Sequence, residues 1–233
     1  MKSQFERFIR VRLYKIVIGA LLVATVICTV IYFTTNWLKI EPIMAGMVTG
    51  LIVALVKYLL DWNEHQEIET IKKLGIQRIL PHRDDKIYYQ RLLAGAEHDI
   101  VVLGNTALRF LDDFAHSTRT DSRALFEALG RGVQVRVLVP TPEYLPIEDR
   151  PRAEMANRRM AQIARESSNF QYRHFNHLPT HSLVKVDNEC LFGPVFSFVK
   201  SKDSPTIHAD ADSALVVAYL QYFENEWTQA STT

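Results

Sequence analysis

Long apolar runs are confined to the first quarter of the chain, and shorter alternating runs fill most of the remainder. Residues 16–33 contain no charge and no proline, and residues 43–60 contain one charge, Lys57. Each run has 18 residues, which as a helix would cover about 27 Å, close to the bilayer's hydrocarbon thickness of about 30 Å. The pattern therefore predicts two transmembrane helices, a hairpin over residues 16–61.

Positive charge flanks the hairpin on both outer sides. The preceding residues 1–15 carry Lys2, Arg7, Arg10, Arg12 and Lys15, and Lys72, Lys73 and Arg78 follow. Because cytoplasmic flanks are enriched in lysine and arginine, we expect both termini in the cytoplasm and a multi-pass protein of a bacterial inner membrane. A cleaved signal peptide fits poorly, since no A-x-A site follows the first run and a second span comes directly after it.

Within the second run, Gly46 and Gly50 form a G-x-x-x-G pattern. Such a pattern lets helices approach closely in lipid, although glycine is also common in membrane helices generally. A pore is less favoured than an anchor, because neither helix has a polar stripe to line a water path.

Beyond residue 61 the polar and apolar spacing is that of a soluble protein. Residues 62–81 predict a helical stalk, which Gly75 could break and which ends at Pro81. Residues 82–229 predict one α/β domain, and residues 230–233 form a short tail. The predicted helices are 87–96, 107–114, 122–130, 151–166 and a last one, capped by Asp212, that runs to about 227. The predicted strands are 99–104, 132–140, 170–175, 182–187 and 190–198. This order favours a mixed sheet flanked by helices.

Composition narrows the possible functions. The formal net charge is only +1, so no strong positive field indicates a nucleic-acid partner. Cys28 and Cys190 have no cysteine or histidine at metal-ligand spacing and favour small buried residues over a disulfide. His208, Asp210 and Asp212 could be taken for metal ligands, but a helix cap explains Asp212 better. We expect no metal and no cofactor.

The densest polar cluster on a strand pattern contains Arg173, His174, His181, Lys185 and Asp187. A histidine can attack phosphorus, a lysine can neutralise phosphoryl oxygens, and a carboxylate can orient an imidazole. The alternative is that these side chains lie on solvated strand ends and bond loop carbonyls. Asn105 and Thr106 follow a buried strand at its carboxyl end, where open α/β sheets commonly bind ligands, although a helix cap is the favoured explanation.

With this cluster the chain resembles the phospholipase D-like superfamily. The likeness runs through residues 75–83, 99–104, 132–139, 179–187 and 222–227, most of the chain after the hairpin. It implies a phospholipase D-like mixed sheet and, for an active member, phosphodiesterase chemistry through His181, Lys185 and Asp187. It also implies a dimer, because active members need two histidine motifs and this chain has one.

The spacing departs from the family's H-x-K-x4-D pattern. Counted from His181, the lysine position holds Leu183 and the aspartate position holds Asn188. Lys185 shares the strand face of His181 but lies about 6–7 Å beyond the family's lysine position, and Asp187 is one residue early, which turns it to the opposite face. Gly193 is followed by Pro194, where active members have a small hydroxyl residue.

Two interpretations remain open. In the favoured one, the domain is catalytically degenerate and senses a ligand or a partner, with Asn105, Thr106, Arg173, His174 and His181 as candidate ligand-binding residues. In the other, it is an active phosphodiesterase, a phospholipase or nuclease, that works as a dimer. The expected partners are the lipid bilayer, a phosphate-containing small molecule or a protein, and a second copy of the chain; nucleic acid is not expected. A role as a stress or defence effector would suit the layout.

Overall fold

A computed structural model describes residues 2–34, 41–116, 119–196 and 199–230. The chain divides into two compact units, Met1–Ile71 and Lys72–Thr233. The first unit contains helix α1, Lys2–Thr34, and all but the end of helix α2, Glu41–Lys73. Residues 35–40, between the two predicted spans, lie outside the described residues.

One helix among the described residues is long and apolar enough to cross a membrane. Its segment Ala45–Trp62 has a mean hydropathy of 1.5 and is not buried against other parts of the chain. In α1 a shorter apolar stretch covers Ile16–Ile31. The second predicted span is thus long and apolar enough to cross a membrane, whereas the apolar stretch of the first is shorter.

The second unit alternates strands and helices. In chain order its elements are β1 (Ile76–Leu80), α3 (Lys86–Ala94), β2 (Asp99–Leu103), α4 (Leu108–Phe114), α5 (Ala124–Gly130), β3 (Gln134–Pro140), α6 (Arg150–Glu166), β4 (Phe170–Phe175), β5 (His181–Val186), β6 (Glu189–Pro194), β7 (Thr206–Asp210) and α7 (Ala214–Gln229). The expectation of a mixed α/β fold is therefore confirmed.

All seven of these strands form one sheet in the order β1-β7-β6-β5-β2-β3-β4. Strands β2, β3 and β4 are parallel, whereas the pairs β2–β5, β5–β6, β6–β7 and β7–β1 are all antiparallel. Consequently β1, β2, β3, β4 and β6 end at the same edge of the sheet, and β5 and β7 begin there. We call this edge the carboxyl edge.

Alternating side chains bury both faces of the sheet. Along β2, Ile100 and Val102 pack into a core shared with α3, α4, α5 and α6, while Val101 and Leu103 pack into a second core with α7. The near-continuous apolar run of β2 is what a strand covered on both faces requires. Helix α7 thus packs on one face of the sheet, and α3, α4, α5 and α6 pack on the other.

Three sequence predictions need correction. The helical stalk breaks at Gly75, as the sequence suggested, with a positive φ of 72° at that residue, but the next five residues join the sheet as β1 instead of continuing as a helix to Pro81. His208 and Asp210, for which the pattern predicted no strand, lie in strand β7. Helix α7 is capped by Ser213, whose side chain accepts a hydrogen bond from the Val216 N–H, and not by Asp212.

Candidate ligand site at the carboxyl edge of the sheet

His181 is the first residue of β5 and therefore lies at the carboxyl edge. Its side chain shares a strand face with Leu183, which belongs to the core under α7. Only 8% of the residue is exposed, and the rings of Tyr219 and Tyr222 on α7 pack against the imidazole with centroid distances of 4.9 Å each. The imidazole is thus clamped between a strand and a helix.

The two nitrogens of His181 have different surroundings. Nδ1 lies 3.1 Å from the Thr180 hydroxyl oxygen, whereas the buried Nε2 has no hydrogen-bond partner among the described residues. If the Thr180 hydroxyl donates to Nδ1, the proton of the neutral ring is on Nε2. Burial lowers the pKa of His181, and the Arg83 guanidinium lowers it further, which favours the neutral ring at pH 7.

Arg83 brings a positive charge to the same edge. Its Nη2 donates to the Pro194 carbonyl oxygen at 2.7 Å, and its Nε donates to the Thr206 hydroxyl at 3.0 Å. A Cβ atom on Gly193 would lie 2.8 Å from Arg83 Nη2 and 2.4 Å from the Pro205 carbonyl oxygen. Glycine at 193 therefore allows the guanidinium to approach the strand, a role that the sequence pattern alone did not reveal.

Lys185 is engaged by an ion pair. Its Nζ lies 2.7 Å from both carboxylate oxygens of Asp99, the first residue of β2, and its side chain is 17% exposed. Along the strand Lys185 lies about 13 Å from His181, at roughly 3.3 Å per residue. The ammonium is thus held at a distance from the imidazole by a carboxylate of the neighbouring strand.

Asp187 caps the backbone at the opposite end of β5. Its carboxylate accepts hydrogen bonds from the N–H groups of Glu97 and His98 at 2.8 Å and of Asp99 at 3.0 Å. Burial raises the pKa of Asp187, but these three backbone donors outweigh it and lower the pKa below its ordinary value. His181, Lys185 and Asp187 therefore have separate partners and do not meet in one pocket of this chain.

The other predicted ligand residues divide into two groups. Asn105 and Thr106 follow β2 at the carboxyl edge; the buried Asn105 Oδ1 has no partner among the described residues, and the Thr106 hydroxyl accepts a long 3.4 Å hydrogen bond from Leu108 N–H at the start of α4. His174, 4% exposed, lies near the end of β4, with Nε2 3.1 Å from Asn157 Oδ1. Burial lowers its pKa, against a smaller opposing effect of Glu143.

Arg173 has a structural contact instead. Its Nη1 donates to the Trp227 carbonyl oxygen at 2.7 Å, and its guanidinium lies 4.7 Å from the centre of the Trp227 ring. This contact holds the end of α7 against β4. It therefore engages the guanidinium that the sequence analysis proposed as a ligand-binding group. Its ligand role remains a prediction without further support.

Unpartnered buried polar atoms gather at the carboxyl edge. Among the described residues, such side-chain atoms are Asn105 Oδ1, Thr141 Oγ1, His181 Nε2, Ser204 Oγ and His208 Nε2. Thr141 follows the end of β3 and Ser204 precedes β7, so all except the His208 atom lie at this edge. Because buried polar groups are nearly always hydrogen-bonded, such a concentration favours a site for a polar ligand. Sequence patterns gave no signal for Thr141 or Ser204.

Comparison with known proteins gives weak fold similarities. No protein-family model and no curated protein sequence matches the chain. TrmBL2, an archaeal chromatin protein described with a novel mode of DNA binding, is 15% identical with a TM-score of 0.47, covering 82% of this chain and 70% of its own. NucT from Helicobacter pylori is 9% identical with a TM-score of 0.44, covering 67% of this chain and 98% of its own.

A third similar structure is phosphatidylserine synthase from Haemophilus influenzae Rd KW20. It is 12% identical with a TM-score of 0.39, and the match covers 66% of this chain and 38% of the synthase. Since all three TM-scores are below 0.5, these similarities identify no family and carry no functional conclusion.

Proposed function

We propose that this chain is a membrane-anchored protein whose phospholipase D-like α/β domain binds a phosphate-bearing ligand at the carboxyl edge without hydrolysing it. The observation that carries the proposal is the separate engagement of Lys185 by Asp99 and of Asp187 by three backbone N–H groups. His181 is left without the ammonium that would neutralise a phosphoryl group and without a carboxylate to orient its ring.

The carboxyl edge still has groups that can bind an anion, although His181, Lys185 and Asp187 do not act together. The His181 Nε2–H can donate to a phosphoryl oxygen, and the guanidinium of Arg83 contributes positive charge nearby. The Asn105 and Thr141 side chains can bond to polar groups on the remainder of the ligand. A neutral imidazole donor and a fixed cation suit recognition of an anion, whereas turnover needs a nucleophile and an electrophilic clamp together.

Attachment of the domain to α2 suggests what ligand binding at the carboxyl edge would achieve. Helix α2 contains the segment that could span a membrane, and β1 begins three residues after α2 ends. A ligand can alter the anchored part only if it binds two arrangements of the domain with different affinity. We infer a sensing or interaction role in which ligand binding at the carboxyl edge changes the anchored helices through this junction.

Binding is tested with purified full-length protein in detergent and a panel of inorganic phosphate, nucleotides and phosphorylated sugars. A ligand at 100 times its Kd stabilises the folded state by about 2.7 kcal/mol, which for a domain of this size raises Tm by roughly 5–10 °C. We expect one class to produce this shift and His181→Ala to abolish it. The control His98→Ala changes an exposed histidine at the opposite edge and should respond as the parent does.

The absence of a Tm shift with every ligand of the panel would contradict the binding proposal and leave a protein partner as the better explanation. A shift that survives His181→Ala unchanged would place the ligand elsewhere.

An active phosphodiesterase is the second candidate, and the unpartnered Nε2 of His181 favours it. A nucleophilic imidazole needs that nitrogen without its proton, which requires the tautomer protonated on Nδ1, and a second copy would have to supply the missing groups. This function therefore requires a dimer, so a monomeric mass by light scattering of the detergent-solubilised protein would exclude it.

A further inference from the structure

A second polar cluster surrounds His208, away from the carboxyl-edge site. The residue is 3% exposed, and its Nδ1 lies 2.6 Å from the Tyr88 hydroxyl on α3. Its Nε2 lies 3.4 Å from Glu189 Oε2 on β6, a close approach without the alignment of a hydrogen bond. A buried imidazole is thus held between a phenol and a carboxylate.

This cluster lies beneath the strand that joins the domain to α2. Arg78 of β1 is the register partner of His208, and its guanidinium lies 5.6 Å from the centre of the Tyr88 ring. Strand β1 has five residues and stands at the end of the sheet, where β7 is its one neighbour among the described strands. A short edge strand held by one neighbour is the element whose pairing is most easily lost.

Protonation of His208 changes the hydrogen bonds and charges of this cluster. In the neutral ring Nδ1 accepts from the Tyr88 hydroxyl and the Nε2 proton faces Glu189. The charged ring donates from both nitrogens, so the Tyr88 hydroxyl must reorient to accept. The new charge is attracted by Glu189 and Asp210 and repelled by Arg78.

We propose that His208 is a proton-operated latch that holds β1 in the sheet when neutral and releases it when charged. The closed arrangement buries the ring, where a charged imidazole is costly, whereas opening β1 would give the ring access to water and move Arg78 away. The latch would make the junction between α2 and the domain sensitive to cytoplasmic acidification.

The direction of the pKa shift agrees with this geometry. Burial lowers the pKa of His208, and although Glu189 and Asp210 raise it and Arg78 lowers it, the net shift is downward. An open state would bind the proton at a higher pH than the closed state. Lowering the pH below about 6.5, the ordinary histidine pKa, therefore shifts the population toward the open state.

Hydrogen exchange of the full-length protein in lipid nanodiscs tests the latch. Exchange is measured by mass spectrometry at pH 7.5 and pH 5.5 and corrected for the chemical exchange rate at each pH. We expect protection of β1 amides to fall at least tenfold at pH 5.5 while β2 and β3 amides keep theirs. In His208→Gln, which cannot be protonated, this loss should vanish, and in the exposed control His82→Gln it should persist.

Arg78→Gln is a second variant, at an exposed position, for the case that His208→Gln does not fold. It removes the repelling cation, so we expect a smaller loss of β1 protection at pH 5.5. Equal β1 protection at both pH values in the parent protein, or an unchanged loss in either His208→Gln or Arg78→Gln, would overturn the latch. No ligand is added, so the result is independent of the proposed ligand binding.

Discussion

Lys185 and Asp99 illustrate how individual side chains take partners that local spacing does not reveal. Strand alternation correctly places Lys185 on the face of His181, because residues two and four apart share a face. Its carboxylate partner is 86 residues away in sequence and depends on the pairing of β5 with β2. Register between distant strands follows from tertiary packing, so the sequence pattern could not predict this ion pair.

Removal of one charge of this pair should destabilise the domain. In Asp99→Asn the ammonium of Lys185, 17% exposed, loses its counter-charge, and we expect a loss of about 1–3 kcal/mol of unfolding free energy. Because the double variant Asp99→Asn/Lys185→Met leaves no uncompensated charge, it should recover most of the loss. Thermal unfolding followed by tryptophan fluorescence measures both; equal stability of Asp99→Asn and parent would contradict the structural role.

At the level of elements, helix α7 links the sheet to the candidate site. Arg136 on β3 holds it through two hydrogen bonds to Glu224, of 2.8 and 2.7 Å, and lies 5.3 Å from the centre of the Phe223 ring. Tyr219 and Tyr222 on the same helix pack against His181. The sequence predicted this helix from its apolar spacing but not its arginine anchors, which come from strands far away in the chain.

Loosening α7 should expose the core beneath it. Cys190 on β6 is fully buried there with α7 residues, and burial raises the pKa of its thiol to about 12, so labelling requires local opening. In a Cys28→Ser background, Arg136→Ala should increase the rate of thiol labelling several-fold. Arg158→Ala on α6, whose side chain is 80% exposed, is the control; equal rates in all three proteins would contradict the anchoring role of Arg136.

The predictability of elements depended on how apolar their pattern was rather than on their length. Strands β2 and β3 and helix α6 have clear apolar patterns and were predicted within two residues. Strands β1 and β7 have five residues each, the same length as β2, but they carry Arg78, His208 and Asp210, and these polar residues hid the alternation. They are also the strands that contain the proposed latch, where buried polar groups break the apolar pattern.

At the scale of the whole molecule, buried histidines should make the second unit, which contains the sheet, sensitive to acid. Burial lowers the pKa values of His174, His181 and His208, so at a pH below about 6.5 the unfolded chain binds more protons than the folded chain. Stability therefore falls as pH drops from 7.5 toward 5. Thermal unfolding of the full-length protein across this range should show a decreasing Tm, and a Tm that rises on acidification would contradict the burial of these rings.

Membrane anchoring and ligand binding without turnover together define the proposed whole-molecule function. Apolar run length alone predicted the segment of α2 that is long and apolar enough to cross a membrane, because bilayer thickness is a simple constraint. The carboxyl-edge site was only partly predictable, since His181 and Asn105 stand in readable motifs but Arg83, Thr141 and Ser204 reach the edge through chain topology.

Turnover of bis-p-nitrophenyl phosphate by the purified full-length protein is the most direct measurement of whether the domain lacks catalysis. With Lys185 and Asp187 engaged elsewhere, we expect release of p-nitrophenol at the buffer rate, identical for the parent and His181→Ala over a hundredfold range of protein concentration, so that self-association would be detected as a change in rate. Release well above that rate, abolished by His181→Ala and retained in His98→Ala, would show an active phosphodiesterase and contradict a binding-only domain.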